Sequence, residues 1–435
     1  MTFYSTADRS HRAGLREAVL AGLPPVGGLY MPERIETLPA SFFESTPTLD
    51  FADIASRMAR PLLGPEVPDD VLERIVRGAF DFPVPLLALP DGRFVLELFH
   101  GPTLAFKDFA ARFMARLMAH FVAGGERTLH ILVATSGDTG SAVAHGFLGV
   151  PGIMVHVLFP SGRVSAVQEA QLTSAGENVT ALEIAGTFDD CQRLVKSAFL
   201  DPETRARLML SSANSINVAR LVPQSFYYCF AWSRLPDRSR PVVVSVPSGN
   251  FGNLTGGLIA KRMGLPVSRF IAATNANDAV PRFLSGGAYE PRPAVATLSN
   301  AMDVSSPSNW ERILDLCGGD RNAIGKDLTG CSFDDDATRK AIRELHTRFG
   351  YVADPHGAVG WLGLERYGRE ARREFTGVFL ETAHPAKFLG VVETETGVRV
   401  EVPDRVRAVL SRPRHAVKMA AEFAALKEYL LAQSE

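Results

Sequence analysis

"HILVATSGDTGSAVAHGFLG", residues 130–149, reads as a buried strand, a tight polar turn and a helix. Its first part is apolar nearly throughout rather than alternating, as in a strand covered on both faces. The polar turn follows Thr135, and a helix starts near Thr139. The same order recurs outward from this segment. "IMVHVLF" (153–159) precedes "VSAVQEAQLTSAG", and "VVVSV" (242–246) precedes "NLTGGLIAKRMG". "FIAAT" (270–274) and "VFLET" (378–382) are further strand candidates. Strand then helix, repeated, predicts an α/β fold with parallel-rich sheets and flanking helices. The segment before Lys107 differs: helical pieces with proline-rich joins such as "GLPPVGG" and "DFPVPLL" suggest an N-terminal domain. Residues 285–330 are loop-rich, either an active-site cover or an insertion. The tail from about 403 shows helical periodicity in "AAEFAALKEYLL".

The chain has 435 residues, 46% of them hydrophobic, which is ample for large cores. Net charge is -2 with both signs interspersed, so no electrostatic footprint points to nucleic acid. "MTFYSTADRSHRAG" lacks the apolar centre of a signal peptide, and no apolar run approaches the roughly 20 residues of a membrane span. Cys191, Cys229, Cys317 and Cys331 are widely spaced with no C-x-x-C pair. They read as core fillers in a reducing, cytoplasmic compartment. The histidines show neither H-x-x-x-H nor H-E-x-x-H, so no metal site is expected.

"HGPTLAFKDF" (100–109) puts Lys107 among aromatics at a helix start. Desolvation and the positive end of the helix dipole both favour its neutral amine. A neutral lysine is a nucleophile or Schiff-base former; a lysine snorkelling to water, or paired with Asp108, is the plainer alternative. Asp108 is an early-turn acid or cap. Phe109, Phe113, Leu117 and Phe121 predict one broad apolar stripe that packs in the core. The turn Thr135, Ser136, Gly137, Asp138, Thr139 offers hydroxyls and helix-terminal N–H groups to an anion, or is simply well capped. "VPSGNFGNLTGG" (246–257) brings Gly249 and Gly252 after a strand, as in a phosphate cradle. It is neither a Walker sequence nor G-x-G-x-x-G, so ATP and NAD are not indicated. "SANSINVARL" (212–221) supplies Asn214, Ser215 and Arg220, a phosphate clamp or a cap with a surface arginine. "DPHGAVG" (354–360) and "ETAHPAKF" (381–388) follow, the latter placing Thr382 and His384 at a strand's C-terminal end. A neutral lysine, a phosphate cradle without nucleotide features and a separate anion turn fit pyridoxal phosphate.

With "FHGPTLAFKDF", "ATSGDTGSAVAHGF", "NSANSIN", "VPSGNFGN", "LSNAMDVS", "DPHGAVG" and "TAHPAKF", the chain resembles the short bacterial and fungal threonine synthases. These are pyridoxal phosphate enzymes of the tryptophan-synthase-β-like fold. The resemblance is weakest about 315–330 and over the last thirty residues. It implies an N-terminal domain (1–96) and a smaller mobile α/β domain with the Schiff-base lysine (97–230, core about 128–220). A large cofactor-binding α/β domain with a helical extension (231–435) completes it. It implies that Lys107 carries the cofactor and shuttles protons. Gly249, Asn250, Phe251, Gly252 and Asn253 would bind the cofactor phosphate. Thr382 would meet the pyridine nitrogen, and Asp138 would sit by the phenolic oxygen. Thr135, Ser136, Gly137 and Thr139 would hold the substrate carboxylate, and Asn214, Ser215 and Arg220 its phosphate. The implied reaction turns O-phospho-L-homoserine and water into L-threonine and phosphate, in a monomer or homodimer with no nucleic-acid or membrane partner. A serine/threonine dehydratase of the same fold, or a silent phospho-amino-acid binder, are the alternatives.

Overall fold

The computed structural model describes residues 1–371 and 373–433. The strands in chain order are β1 (Thr2–Ser5), β2 (Arg12–Gly14), β3 (Tyr30–Pro32), β4 (Leu86–Leu89), β5 (Arg93–Glu97), β6 (Leu129–Ala134) and β7 (Ile153–Pro160). Then come β8 (Val179–Ala185), β9 (Met209–Ser212), β10 (Val242–Pro247), β11 (Arg269–Thr274), β12 (Leu328–Ser332), β13 (Thr376–Glu381) and β14 (Val417–Ala420). They build three sheets, ordered β2-β1-β3, β12-β11-β10-β13-β5-β4 and β14-β8-β7-β6-β9. The last is parallel throughout, and the second is parallel except where β4 runs against β5. The expected parallel α/β architecture is therefore present, and β6, β7, β10, β11 and β13 lie where the apolar runs predict them.

The small antiparallel sheet β2-β1-β3 lies within the segment read as helical. Its strands are three or four residues long, too short for a period to register. The C-terminal tail also departs from expectation. Besides a helix at Phe423–Ala432, it supplies β14, which pairs with β8 and so joins the sheet of the 128–220 core. Leu426 and Leu430 bury themselves beside Leu132, Ile184 and Leu194. Cys191, Cys229 and Cys331 are buried in apolar clusters, with Cys317 packed at the margin of one.

The helix Lys107–Val122 is buried nearly all round, not along one stripe. Phe109 packs against Phe51, Phe80, Phe82 and Tyr227 with ring centroids 4.9–5.8 Å apart. Such tilted and edge-on pairs add to plain area burial. On another face Ala111 lies against Gly146 of the helix Asp138–Phe147, where a Cβ on Gly146 would sit 3.1 Å from the Ala111 backbone. Arg112 is buried too, donating to the carbonyls of Gly78 and Ala79 and pairing with Asp81. Lys107 thus begins a helix that helices of the N-terminal segment and of the five-stranded sheet clamp from two sides.

A polar chain ties that five-stranded sheet to the tail. His130 Nδ1 and His156 Nε2 are 3.1 Å apart, and His156 Nδ1 lies 3.2 Å from the Tyr429 hydroxyl. Burial, with His130 adding to it, pushes His156 from 6.5 down to about 3. Because the folded value lies below the unfolded one, acid protonates the unfolded chain first. Stability present above pH 6.5 is lost as pH falls from there toward 3. At about pH 5 the loss is about 2 kcal/mol. Thermal melts at pH 7 and pH 5 should show this drop, and His156→Gln should flatten it; an equal drop in the variant assigns the acid sensitivity elsewhere.

Candidate active site

The chemistry-bearing motifs meet beyond the C-terminal ends of β6, β9, β10 and β13, where open parallel sheets place ligands. Lys107 is the first residue of its helix, and its side chain is 15% exposed. Phe106 N–H donates to the Thr382 carbonyl at 2.9 Å, and Ala105 bridges Ala383, so the end of β13 lies directly beside the lysine turn. Burial pushes the Lys107 amine down. Asp138 opposes that, and the charges of Lys387 and Arg220 reinforce it. Asp108 does not pair with Lys107 or cap the helix. Its buried carboxylate accepts from Thr103 N–H (2.8 Å) and Thr103 Oγ1 (2.7 Å), closing the preceding turn.

Asp138 is the acid beside Lys107, with Oδ2 3.6 Å from Nζ. Its Oδ1 lies 2.6 Å from Lys387 Nζ and accepts from Gln168 Nε2 at 2.9 Å. Burial alone would raise this carboxyl; Lys387 and Lys107 outweigh it and hold the group well below the usual range. Within the same turn, the Thr135 hydroxyl is spent on its own loop, accepting from Gly137 N–H (2.9 Å) and Gly140 N–H (2.8 Å). Gly137 has φ 135°, and a Cβ there would lie 2.3 Å from Gln168 Cδ. The N–H groups of Ser136, Asp138 and Thr139 find no acceptor among the described residues, nor do the hydroxyls of Ser136 and Thr139. The turn thus presents a cluster of free donors whose arrangement Thr135 maintains.

After β10 the backbone N–H groups of Gly249, Asn250, Phe251, Gly252 and Asn253 also lack acceptors among the described residues. They crown the helix Gly252–Arg262. Phe251 adopts a left-handed φ of 61°, rare for a non-glycine residue, and turns this run of donors into a concave nest. At Gly249 a Cβ would lie 2.7 Å from the Ala301 carbonyl oxygen, so the 300–302 turn packs on the loop. Asn253 Oδ1 accepts from the hydroxyls of Tyr227 and Tyr228, and its Nδ2 is buried with no partner. Asn250 donates to Ser215 Oγ and accepts from Ser308 N–H at 2.6 Å, joining three motifs in one wall.

Asn214 anchors to the Ala134 carbonyl at 2.9 Å. Arg220 is buried rather than at the surface. Its Nη1 donates to the Ala213 carbonyl at 2.6 Å, its Nε has no partner, and among the described residues no carboxylate pairs with it. Desolvation pushes its guanidinium from 12.5 to about 10. Thr382 is buried with its hydroxyl unpartnered among the described residues. His384 accepts from Ala386 N–H and serves as a turn cap; burial pushes it down to about 4.

Three contributors carried no sequence signal of their own. Lys387 lies inside "TAHPAKF" yet looks like any surface lysine. Arg312, in the loop-rich segment, is wholly buried and donates to the carbonyls of Tyr30, Ser215 and Ile216. His356 of "DPHGAVG" faces the Asp354 carboxylate through Nδ1 (2.5 Å) and accepts Ala301 N–H through Nε2 (3.2 Å). It props the turn behind the glycine loop. The 300–309 stretch thus lines the site as a wall.

Residues 83–380 match the family "Pyridoxal-phosphate dependent enzyme", residues 2–80 "Threonine synthase N terminus" and residues 357–430 "Threonine synthase, C-terminal". The last match includes most of the tail where the resemblance looked weakest. The chain is 43% identical to threonine synthase of Escherichia coli over 99% of both chains. The crystal structure of that organism's threonine synthase superposes with a TM-score of 0.92, covering 100% of each chain. A pyridoxal-phosphate-bound threonine synthase from Brucella melitensis is 37% identical, with a TM-score of 0.93 and 100% coverage of each. Spanned by these matches from Thr2 to Leu430, the chain belongs to the threonine synthase family of pyridoxal-phosphate-dependent enzymes.

Proposed function

We propose that this protein converts O-phospho-L-homoserine and water to L-threonine and phosphate, as a carbon–oxygen lyase acting on phosphates, with Lys107 holding the cofactor and carrying the protons. One observation supports this most: two phosphate-suited groups, apart from the 136–139 turn, flank one largely buried lysine. The donors at 249–253 suit the phosphate of pyridoxal phosphate. The buried guanidinium of Arg220, with no carboxylate paired to it among the described residues, suits a second phosphate, which a dehydratase would not need. The unpartnered Thr382 hydroxyl suits a neutral ring nitrogen, and the buried Asn253 Nδ2 lacks an acceptor that a phosphate oxygen supplies.

When bound, pyridoxal phosphate supplies an electron sink for a substrate carbanion. The chain's residues do the rest. The N–H groups of Ser136, Asp138 and Thr139 bind the substrate carboxylate and orient the α-carbon hydrogen. Neutral Lys107 takes the α-proton and gives it up to the electron sink, so that the amine is neutral again and takes a β-proton. Arg220, Asn214 and Ser215 receive the phosphate as the γ-carbon–oxygen bond breaks. Lys107 returns the β-proton to the γ-carbon, water adds its hydroxyl at the β-carbon, and Lys107 finally carries the first proton back to the α-carbon. The departing phosphate, held by Arg220, accepts that water's proton. Closure of the 128–220 unit over the site excludes water until this step.

The same reading divides the chain at about 96 and 230, with β4 and β5 crossing to the sheet of the third part and β14 to that of the second, and describes a cytoplasmic monomer or homodimer without nucleic-acid or membrane partners. Among the described residues no helix is long and apolar enough to cross a membrane.

Product analysis tests the reaction. With pyridoxal phosphate and O-phospho-L-homoserine, the protein should release phosphate and threonine in equal amounts, and nothing from homoserine. Phosphate accompanied by a keto acid would replace the assignment with an eliminating, dehydratase-like enzyme; no product despite bound cofactor would leave only the silent binder.

A further inference from the structure

Lys387 is a charged group at the centre of the site to which the reaction gives no task. Its side chain is wholly buried, and its ammonium touches Asp138 Oδ1 at 2.6 Å and the Thr103 carbonyl at 3.0 Å. Lys107 reaches the same carboxylate from the other oxygen, at 3.6 Å. Two lysines therefore compete for one acid in a dry interior. The nearer one, with a second acceptor and no water, wins that competition. The remaining charges do not reverse it. Arg220 adds positive charge near Lys107, and buried Asp108, near Lys387, is held by Thr103. Gln168 donates to Asp138 and contributes no charge.

We propose that Lys387 is a positioning residue for the reaction: it is the standing counter-ion of Asp138, and by occupying that carboxylate it leaves Lys107 a neutral amine. The placement fits this task. Lys387 comes from the turn after β13 and Asp138 from the turn after β6, so the pair spans both large sheets. It also holds Asp138 at a fixed distance from the reacting nitrogen. Were Lys387 absent, Lys107 would be the only ammonium near Asp138 and would stay protonated. The opposing charges on Lys107 bear this out in direction: Asp138 raises its basicity and Lys387 lowers it. The inference rests on the reading of Lys107 as the cofactor lysine, but its test does not involve the cofactor.

The full-length protein is freed of cofactor and labelled with trace acetic anhydride across a pH series. Acetylation at Lys107 is read by peptide mass spectrometry and gives the midpoint at which its amine loses a proton. Lys387→Met should move that midpoint up by about one pH unit or more, a roughly tenfold fall in neutral amine at a given lower pH. Lys387→Met combined with Asp138→Asn should return it to or below the wild-type position. Lys387→Arg, which keeps a cation, should stay near wild type. Asp138→Asn alone should drop the midpoint below wild type, a result readable even if Lys387→Met does not fold. A purely structural lysine would lower the melting temperature and leave the midpoint in place. An unmoved midpoint in folded Lys387→Met, or a midpoint in Asp138→Asn that does not fall, overturns the proposal. Borohydride fixation of pyridoxal phosphate to Lys107 in the wild-type protein decides the underlying reading separately.

Discussion

Lys107→Ala is expected to lose at least about a thousandfold in turnover while keeping its fold. The loss is large because, in the proposed mechanism, one amine holds the cofactor and moves the carbon-bound protons, so no partial function remains. Survival of the fold follows from the ion pairs. Removing a buried lysine usually orphans its acid, at a cost of several kcal/mol. Here Asp138 keeps Lys387 at 2.6 Å and Gln168 at 2.9 Å, so its carboxylate stays satisfied. The helix below remains clamped by Phe109 and its ring partners. The variant should therefore melt close to wild type, and borohydride should fix no cofactor to it. Turnover within tenfold of wild type would remove Lys107 from the centre of the reaction.

Arg220→Met should separate binding from stability. A guanidinium lowered from 12.5 to about 10 disfavours the folded state by about 3 kcal/mol at neutral pH, because the unfolded chain carries that proton more readily. Methionine removes the desolvated charge and fills similar volume. The ligand-free variant should thus melt at or above wild type, even with the Ala213 carbonyl losing its donor. Substrate binding should move the other way. Losing one side of a buried, hydrogen-bonded charge pair costs about 2–5 kcal/mol, so KM for phosphohomoserine should rise about thirtyfold to several thousandfold. Inorganic phosphate should raise the melting temperature of wild type and not of the variant. Cofactor affinity should change little; an equal fall in it would assign Arg220 to the cofactor phosphate instead.

The contrast between Arg220 and Lys387 shows what the amino-acid sequence makes legible. Long apolar runs reveal β6, β7, β10, β11 and β13, because strands buried on both faces need continuous hydrophobicity. β12 escapes notice because Gly330 interrupts it. That glycine is needed where a Cβ would lie 2.9 Å from Pro281 and Leu284. β14 is an edge strand, mostly exposed, and reads as polar tail. Among site residues, those on glycine- and hydroxyl-rich turns are visible from local chemistry. Arg220 is visible as a charge at a capped helix, although its burial is not. Lys387 and Arg312 are invisible, since their partners, Asp138 and Tyr30, lie far off in the chain and only the fold joins them. Asp108 looks like a helix cap from its position, but a tight turn at Thr103 claims it first.

The pairing of β14 with β8 carries a consequence for synthesis. β8 closes at Ala185, yet its partner, Val417–Ala420, is made long after it. Until then β8 presents a naked edge and the surface later covered by Leu426 and Leu430 stays wet. The nascent chain thus carries an unfinished sheet while everything between β8 and β14 is made, dependent on chaperone cover or speed. Premature termination just before residue 417 would leave every catalytic residue intact and an aggregation-prone edge beside them.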